Sequence, residues 1–344
     1  MALRRNRTIN RKDPEITLER ALGPSFAAYR KDFALAESFK PFPFPLHLDV
    51  DVTTKCDLGC PMCPTGARAG NLFPGLGQGL ALPFGLYARA LSECAYHGLP
   101  SLRLGMSGEP LLVQGIDRWV SLARDLNVTD VQLVTNGQRL ARKTSQRLIG
   151  AGLTRLMVSV DAGSPEAYAR ARPGGDFLRL LRNIEGFLEE RERLGSLTPV
   201  LRLSFVDTGD GGELDAFLAL FGDMADYVAI QSYAPLVPGH ALGLDGAAER
   251  LTPKGGRCAE PWARLAIHAN GGLFPCCSDH GRHWPLGFFP AVTLKGAWDS
   301  RMRRAVAGMI PGCLAHPACL RCAGGTKGEA VPDGPRRAGA SMGG

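Results

Sequence analysis

The stretch of sequence that decides the fold and the chemistry of this chain is Lys55-Cys56-Asp57-Leu58-Gly59-Cys60-Pro61-Met62-Cys63-Pro64. It directly follows an apolar run, Leu46–Val52, whose length and composition predict a buried strand. The three cysteines therefore occupy one loop at the carboxyl end of a strand, where barrel enzymes place their active sites. Thiolates select zinc or iron–sulfur clusters, and three of them leave one iron of a four-iron cluster open.

Short β-prone runs alternate with amphipathic segments on both sides of that loop. The six predicted strands are Leu46–Val52, Leu102–Met106, Val131–Thr135, Leu156–Val160, Leu201–Val206 and Tyr227–Ser232. Helical spacing is found near Leu80–His97, Ile116–Asp125, Arg139–Ala151, Asp176–Leu194 and Glu213–Met224. The repeated strand–helix unit predicts an α/β fold, a parallel sheet curved into a partial (β/α)6 TIM-like barrel with its helices outside.

Changes in composition divide the chain into five predicted regions. We expect an N-terminal extension over residues 1–44 with one helix, followed by a core barrel over residues 45–234. A Pro- and Gly-rich linker over 235–257 leads to a small Cys-rich domain over 258–327, and residues 328–344 form a disordered tail.

Overall composition limits the class of protein. The chain has 344 residues, 45% of them hydrophobic, enough for one large core. Its 10 cysteines cluster, which favours metal binding over disulfides, and neither a signal peptide nor a membrane span is evident. We expect a cytoplasmic protein without a membrane partner. The net charge of +7 comes from scattered Lys and Arg residues, so no nucleic-acid partner is expected.

The cysteine loop, together with Gly105-Met106-Ser107-Gly108-Glu109-Pro110 after the second strand, resembles the radical S-adenosylmethionine (radical SAM) superfamily. The resemblance implies that Cys56, Cys60 and Cys63 hold a [4Fe-4S] cluster whose open iron binds the methionine part of S-adenosylmethionine. It also implies reductive cleavage of that cofactor to a 5′-deoxyadenosyl radical. A low-potential electron donor, such as flavodoxin or ferredoxin, would then be a partner.

The same resemblance assigns expected cofactor contacts. Met62 would lie near the adenine, and Gly108 and Glu109 would hold the methionine amino group, with Ser107 replacing a glycine of the family pattern. Further expected contacts to the ribose and methionine parts come from Asn136, Ser159 and Asp161. Read from the residues alone, Asn-Gly is also a turn signal, and Ser or Asp at a strand end is also a helix cap.

A second group of cysteines lies near the C-terminus, and its members are Cys258, Cys276, Cys277, Cys313, Cys319 and Cys322. The segments 258–262 and 270–277 resemble the SPASM/Twitch appendage of radical SAM oxidoreductases, which implies a second, auxiliary [4Fe-4S] cluster. The expected ligands are Cys258, Cys276, Cys319 and Cys322, with Cys277 or Cys313 as a substitute for one of them. Four cysteines that include a C-x2-C pair equally describe a structural zinc site.

Several residues bear on the reaction that follows cofactor cleavage. Cys277 or Cys313 could donate a hydrogen atom to a substrate radical, or could be buried for packing. Arg202 and Gln231 lie on late strands, and alternation alone does not tell whether they face inward. Oxidation or epimerisation of a small polar metabolite, such as a sugar or aminocyclitol, is the leading expectation. The alternatives are a maturase acting on a peptide or protein, and a non-catalytic zinc- or metal-binding protein.

Overall fold

The structure is a computed structural model that describes residues 7–63, 79–207, 211–232, 259–277, 279 and 284–308. Its strands are β1 (Arg7–Asn10), β2 (His47–Val50), β3 (Ser101–Leu104), β4 (Asp130–Thr135), β5 (Arg155–Ser159), β6 (Val200–Asp207), β7 (Tyr227–Ser232), β8 (Arg264–Ile267), β9 (Gly272–Phe274) and β10 (Gly287–Phe288). Within these ranges, no helix has the length and apolar character needed to cross a membrane.

The strands form one sheet in the order β1-β7-β6-β5-β4-β3-β2-β8-β9-β10. Strands β2 to β7 are parallel neighbours in chain order, and β8 pairs in parallel with the free side of β2. At the two ends of the sheet, β1 pairs antiparallel with β7, and β9 pairs antiparallel with both β8 and the edge strand β10. All six predicted strands are observed, and the predicted α/β class with a partial TIM-like barrel is confirmed.

The helices are α1 (Pro14–Leu22), α2 (Pro24–Glu37), α3 (Phe84–His97), α4 (Ile116–Asp125), α5 (Arg142–Gly150), α6 (Pro165–Ala171), α7 (Phe177–Arg193), α8 (Gly211–Phe221), α9 (Glu260–Ala263), α10 (Leu294–Trp298) and α11 (Arg301–Gly308). The five predicted helices correspond to α3, α4, α5, α7 and α8. The N-terminal extension contains two helices and a strand, where the sequence had indicated one helix.

Local sequence explains where several of these helices begin and end. The Asp176 carboxylate accepts a hydrogen bond from the Arg179 N–H at 2.9 Å and caps α7, and Ser164 caps α6 in the same way. Pro14 and Pro165 stand at the first helical position, where the missing N–H is not needed. At its other end, α3 stops at Gly98, whose φ of +71° is the left-handed conformation that glycine adopts readily.

The two faces of the parallel sheet differ in chemistry. Alternate residues such as Leu48, Val50 and Leu102 belong to one buried apolar cluster with Tyr87 and Leu91 of α3, so they face the helices. The other face, which lines the barrel interior, carries polar contacts between neighbouring strands. These include His47 Nδ1 to Ser101 Oγ at 2.8 Å, Arg103 Nη2 to Asp49 Oδ1 at 2.7 Å and Arg155 Nε to Asp130 Oδ2 at 3.1 Å.

Helices α1 and α2 close the amino end of the barrel. Phe26, Tyr29 and Phe33 of α2 share a buried apolar cluster with Leu46 and Val200, which lie at the starts of two barrel strands. This apolar layer separates the polar barrel interior from solvent at that end. Access to the interior is therefore from the carboxyl ends of the strands, where the cysteine loop lies.

The proposed division into domains stays a prediction. The linker (235–257), Cys258 and the tail (328–344) lie outside the described residues. The described part of the Cys-rich region contributes β8, which pairs with β2 from His47↔Arg264 to Val50↔Ile267. That region is thus joined to the barrel through backbone hydrogen bonds.

Replacing Arg155 tests whether its buried ion pair with Asp130 stabilises the amino end of the barrel. Arg155→Met leaves the fully buried Asp130 without its cation, so we expect the free energy of unfolding to fall by about 3–5 kcal/mol. Arg147→Met removes the same charge from an exposed pair with Asp117 and should cost less than about 1 kcal/mol. Urea unfolding compares the variants, and equal losses would contradict a structural role for the Asp130–Arg155 pair.

Candidate cluster and cofactor site

The cysteine loop leaves the carboxyl end of β2, and backbone contacts on several sides hold it. The Asp51 N–H donates to the Ile267 carbonyl at 2.8 Å, and the Gly59 N–H donates to the Pro173 carbonyl at 2.9 Å. Within the loop, the Cys63 N–H donates to the Cys60 carbonyl at 3.2 Å. The three cysteines therefore lie on a loop that is anchored at both β8 and the segment after α6.

The donor set of this loop fits an iron–sulfur cluster, because three thiols from one short segment are its usual ligands. Cys56 is exposed, Cys63 is half-buried and Cys60 is buried. In the part of the chain that the structure describes, no three His, Cys, Asp or Glu side chains are grouped closely enough to hold a metal ion. The thiols share the loop but do not converge on one point.

The thiols of Cys56 and Cys60 are protonated at neutral pH. The pKa of Cys56 is raised to about 11, chiefly by burial and to a smaller extent by the nearby Glu109, against the lowering effect of a hydrogen bond with the Leu58 backbone. Burial also raises the pKa of Cys60, opposed by the Arg172 guanidinium, whose Nη1 lies 3.7 Å from Cys60 Sγ. Because thiolates are the ligands of iron, binding a cluster here must release these protons.

Asp57, inside the loop, ties it to the end of β4. Its carboxylate accepts from Asn136 Nδ2 at 2.8 Å and from Arg139 Nε at 2.8 Å. Asn136 Oδ1 in turn accepts from the Gln138 N–H at 2.9 Å. Asn136, expected as a cofactor contact, thus also holds the cysteine loop in place.

The Gly108 position explains part of the motif after β3. A Cβ at Gly108 would lie 2.4 Å from the carbonyl oxygens of Thr53 and Lys55, closer than real atoms approach. The next residue, Glu109, donates its N–H to the Lys55 carbonyl at 2.7 Å. Only glycine lets this segment lie against the backbone that leads into Cys56.

The Glu109 carboxylate is buried and joins three segments. Oε1 accepts from the Leu111 N–H at 2.9 Å and from Thr135 Oγ1 at 2.6 Å, and Oε2 accepts from the Asn136 N–H at 2.7 Å. A carboxylate has about four acceptor positions, so about one, on Oε2, is left. Burial raises the pKa of Glu109 to about 7 despite these donors.

Asp161 and Arg172 connect the loop to the far side of the barrel rim. Asp161 follows β5 with a φ of +62°, and its Oδ1 accepts from the Val206 N–H at 2.9 Å. Its other oxygen pairs with Arg172 Nη2, and Arg172 also donates to Cys60 Sγ. Ser159 ends β5 opposite Ser204, and Met62 is half-buried in the loop.

The structure therefore places every expected cofactor contact at the same end of the barrel, and their roles stay predictions. Sequence reasoning did not single out Asp57, Arg139 or Arg172 as contacts at this site. Asp57 lies between two predicted ligands, which is a signal that could have drawn attention to it. Arg172 carried no such signal, because its contact with Cys60 depends on how the segment after α6 folds back.

Only Cys276 and Cys277 of the second cysteine group are among the described residues, directly after β9. Cys277 forms a hydrogen bond with Arg103, so this end of the Cys-rich region reaches the barrel interior. Its hydrogen bond with Cys276 lowers the pKa of Cys277. Cys258, Cys313, Cys319 and Cys322 lie outside the described ranges, and the auxiliary ligand set stays a prediction.

Gly108→Ala tests the close contact between the two segments. The added methyl would displace the backbone around Thr53 and Lys55, so we expect iron bound after anaerobic reconstitution to fall severalfold while the far-ultraviolet circular dichroism is retained. In the control, Gly186→Ala within α7, the methyl meets no atom within 4 Å and should leave the iron content unchanged. Full iron binding by Gly108→Ala would contradict this account.

The raised pKa of Glu109 predicts a pH dependence of stability. The folded chain holds a proton on Glu109 up to about pH 7, whereas the ordinary value is 4.5, so stability must fall as pH rises through this window. Urea unfolding of metal-free protein should therefore show wild type losing about 3 kcal/mol relative to Glu109→Gln between these limits. Parallel pH profiles for the two proteins would contradict the raised pKa.

Comparison with known proteins agrees with this geometry. Residues 50–202 match the family model described as the radical SAM superfamily. The GTP 3′,8-cyclase of Acidothermus cellulolyticus is 33% identical over 175 residues, 49% of this chain and 47% of that protein. The probable GTP 3′,8-cyclase of Methanocaldococcus jannaschii is 28% identical over 161 residues, 46% and 49% of the two chains. This chain spans about half the length of these curated relatives.

Solved structures show the same fold at low sequence identity. SuiB of Streptococcus suis, bound to its precursor peptide SuiA, has a TM-score of 0.61 at 16% identity, covering 88% of this chain and 76% of that one. BtrN in complex with AdoMet and 2-DOIA has a TM-score of 0.52 at 16% identity, with coverage of 81% and 92%. Residues 50–202 therefore match a radical SAM domain, and this match indicates an iron–sulfur, S-adenosylmethionine-dependent enzyme.

Proposed function

We propose that Cys56, Cys60 and Cys63 hold a [4Fe-4S] cluster with one open iron, and that the chain uses it to start radical chemistry on a small polar substrate. The observation that carries the proposal is the fixed arrangement of the cysteine loop against Gly108 and Glu109 at the open end of the barrel. When bound, the cluster supplies the electron that cleaves S-adenosylmethionine to a 5′-deoxyadenosyl radical.

The residues of the chain bind and orient the cofactor. The remaining acceptor position on Glu109 Oε2 suits the ammonium group of the methionine part, and the backbone of Gly108 lies beside it. Asn136 Nδ2 donates to Asp57, and Asn136 Oδ1 accepts one hydrogen bond, from the Gln138 N–H. A second acceptor position on Oδ1 is therefore left for a ribose hydroxyl. Ser159 and Asp161 would face the methionine and ribose parts from the β5 side, and Met62 would cover the adenine.

The polar barrel interior supports a small polar substrate. The interior is lined by charged side chains, whereas a site for an apolar ligand would be lined by aliphatic ones. The apolar layer of α2 closes the interior at the amino end. Oxidation or epimerisation of a sugar- or aminocyclitol-type compound fits that lining. BtrN, the neighbour bound to 2-DOIA, has the same fold and is covered over 92% of its length.

A second candidate is a maturase that modifies a peptide or protein. It is favoured by the match to SuiB bound to its precursor peptide, which covers 88% of this chain. The structure of anSMEcpe with AdoMet and the Kp18Cys peptide, with a TM-score of 0.58 at 12% identity, points the same way. Turnover of a peptide with no turnover of small polyols would favour this candidate.

An auxiliary [4Fe-4S] cluster held by Cys258, Cys276, Cys319 and Cys322 belongs to the proposal. It would accept the electron left on the substrate radical during an oxidation. In an epimerisation, Cys277 or Cys313 would instead return a hydrogen atom; Cys277 supports this role because it contacts Arg103 inside the barrel. A flavodoxin- or ferredoxin-type donor in the cytoplasm would supply the reducing electron.

The cysteine loop is tested by single substitutions. Cys56→Ala, Cys60→Ala and Cys63→Ala should each abolish formation of 5′-deoxyadenosine from S-adenosylmethionine under reducing, anaerobic conditions, because each removes a ligand of the open-iron cluster. Cys94→Ala, which changes a buried packing cysteine in α3, is the matched control and should retain the activity.

The outcome separates the proposal from a purely structural metal site. Chromatographic detection of 5′-deoxyadenosine and metal analysis of the same samples give both readouts. Normal cofactor cleavage in any of the three loop variants would contradict the ligand assignment. A wild-type protein that contains zinc, lacks iron after reconstitution and forms no 5′-deoxyadenosine would favour the non-catalytic alternative.

A further inference from the structure

Four arginines point into the barrel interior from the described strands: Arg103 on β3, Arg155 on β5, Arg202 on β6 and Arg264 on β8. Their inward direction follows from strand alternation, because the adjacent residues Leu102, Leu156, Leu201 and Leu265 belong to the apolar cluster on the helix side. A buried cation is costly unless an anion neutralises it. An arginine with a carboxylate partner is therefore explained by its ion pair, whereas one without such a partner needs another explanation.

Three of these arginines have carboxylate partners within the chain. Arg155 pairs with Asp130 and with Glu15 of α1, each at 3.1 Å. Arg103 pairs with Asp49 at 2.7 Å. Arg264 pairs with Glu260 at 2.8 Å. These ion pairs neutralise the positive charges of Arg103, Arg155 and Arg264.

Arg202 is the exception. Its Nη1 donates to the Met157 thioether at 3.4 Å, a weak acceptor, and its buried Nε has no hydrogen-bond partner. Within the residues that the structure describes, no carboxylate forms an ion pair with Arg202. Burial lowers the pKa of Arg202, Tyr227 on the neighbouring strand opposes this, and the positive charges of Arg103 and Arg155 add to the lowering.

The register places Arg202 directly beneath the cofactor end of the barrel. Arg202 lies opposite Met157 on β5 and Tyr227 on β7. The next inward position of β6 is Ser204, which faces Ser159, an expected cofactor contact. A group bound to Arg202 would thus sit one layer below the rim, with the rest of its molecule extending towards the cysteine loop.

A packing role explains this arrangement poorly. An aliphatic side chain would fill the same space next to Met157 without the cost of desolvating a guanidinium, so the charge at Arg202 lowers stability in the absence of a ligand. Such a cost is expected at a binding site, where the missing partner arrives with the ligand.

We propose that Arg202 binds an oxyanion group of the substrate, a phosphate or a carboxylate, inside the barrel. This inference rests on the proposed function and narrows its substrate class to anionic polar molecules. The planar guanidinium suits both groups, because it forms two parallel hydrogen bonds to either one. The substrate is then oriented by its charged end, which leaves its other end near the cofactor.

The test measures binding of inorganic phosphate and of succinate to anaerobically reconstituted protein at constant ionic strength. Thermal unfolding at increasing anion concentration gives the affinity. We expect saturable stabilisation of wild type by at least one probe, and an affinity about tenfold or more weaker in Arg202→Met, the loss expected for a charge-assisted hydrogen bond. The exposed control Arg147→Met should match wild type, and Arg202→Lys should retain part of the affinity.

A second readout separates binding from packing. Without added anion, Arg202→Met should unfold at the same temperature as wild type or higher, because the substitution removes an uncompensated buried charge, whereas Arg155→Met should unfold at a lower temperature. Preference for phosphate or for succinate identifies which group the substrate carries, and either preference supports the site. Unchanged anion affinity in Arg202→Met, or destabilisation comparable to Arg155→Met, would overturn it.

The same samples distinguish this inference from the proposed function. Wild-type protein that forms 5′-deoxyadenosine but is stabilised by neither anion overturns the anion site and leaves the radical chemistry intact. Wild-type protein that binds phosphate or succinate through Arg202 without forming 5′-deoxyadenosine supports the anion site and overturns the proposed cleavage.

Discussion

The candidate site depends on the close approach of two backbone segments, one leading from β2 into Cys56 and the other running from β3 to Glu109. The absence of a side chain at Gly108 permits the approach, and the bond from the Glu109 N–H to the Lys55 carbonyl holds it. The Glu109 carboxylate then attaches both segments to the end of β4 through Thr135 and Asn136. One short motif thereby positions the loop that carries the predicted ligands.

The polar interior of the barrel follows from how its two ends are closed. At the amino end, the aromatic residues of α2 form an apolar layer, and the pairs made by Arg155 and Arg264 neutralise the charges next to it. At the carboxyl end, the interior opens towards the cysteine loop. A charged interior with one closed end suits a substrate that enters from the rim and presents a polar group to the interior. Among the described residues, Arg202 has no carboxylate partner there and contacts only the Met157 thioether as an acceptor.

The sequence predicted the elements of the barrel well because each has a simple period. Strands such as Val131–Thr135 are β-rich and bounded by turn residues, and α4 was predicted with its observed ends. Pairing between segments that are distant in the chain was harder to predict from the sequence. That β8 would join β2 depends on a register between residues far apart in the chain, and the helical content of the extension was underestimated because α2 has weak amphipathic patterning.

In the candidate site, too, local sequence patterns were predictable and contacts between distant segments were not. The spacing of Cys56, Cys60 and Cys63 and the Gly108-Glu109 pair are local patterns, so their proximity at one end of the barrel was predictable. The contacts of Asp57 with Asn136 and of Arg172 with Cys60 join loops from different strands, and no local pattern encodes them. The inward direction of Arg202 likewise required the sheet, since alternation gives two faces without saying which is inside.

The central claim is that the cysteine loop holds a four-iron cluster with one iron open to S-adenosylmethionine. Low-temperature electron paramagnetic resonance of the reduced, anaerobically reconstituted protein, recorded with and without S-adenosylmethionine, tests it most directly. The account predicts a reduced [4Fe-4S] signal whose g-values shift when the cofactor is added, and which is lost when Cys56, Cys60 and Cys63 are replaced together. A signal that is identical with and without the cofactor, or that survives the triple replacement unchanged, would contradict it.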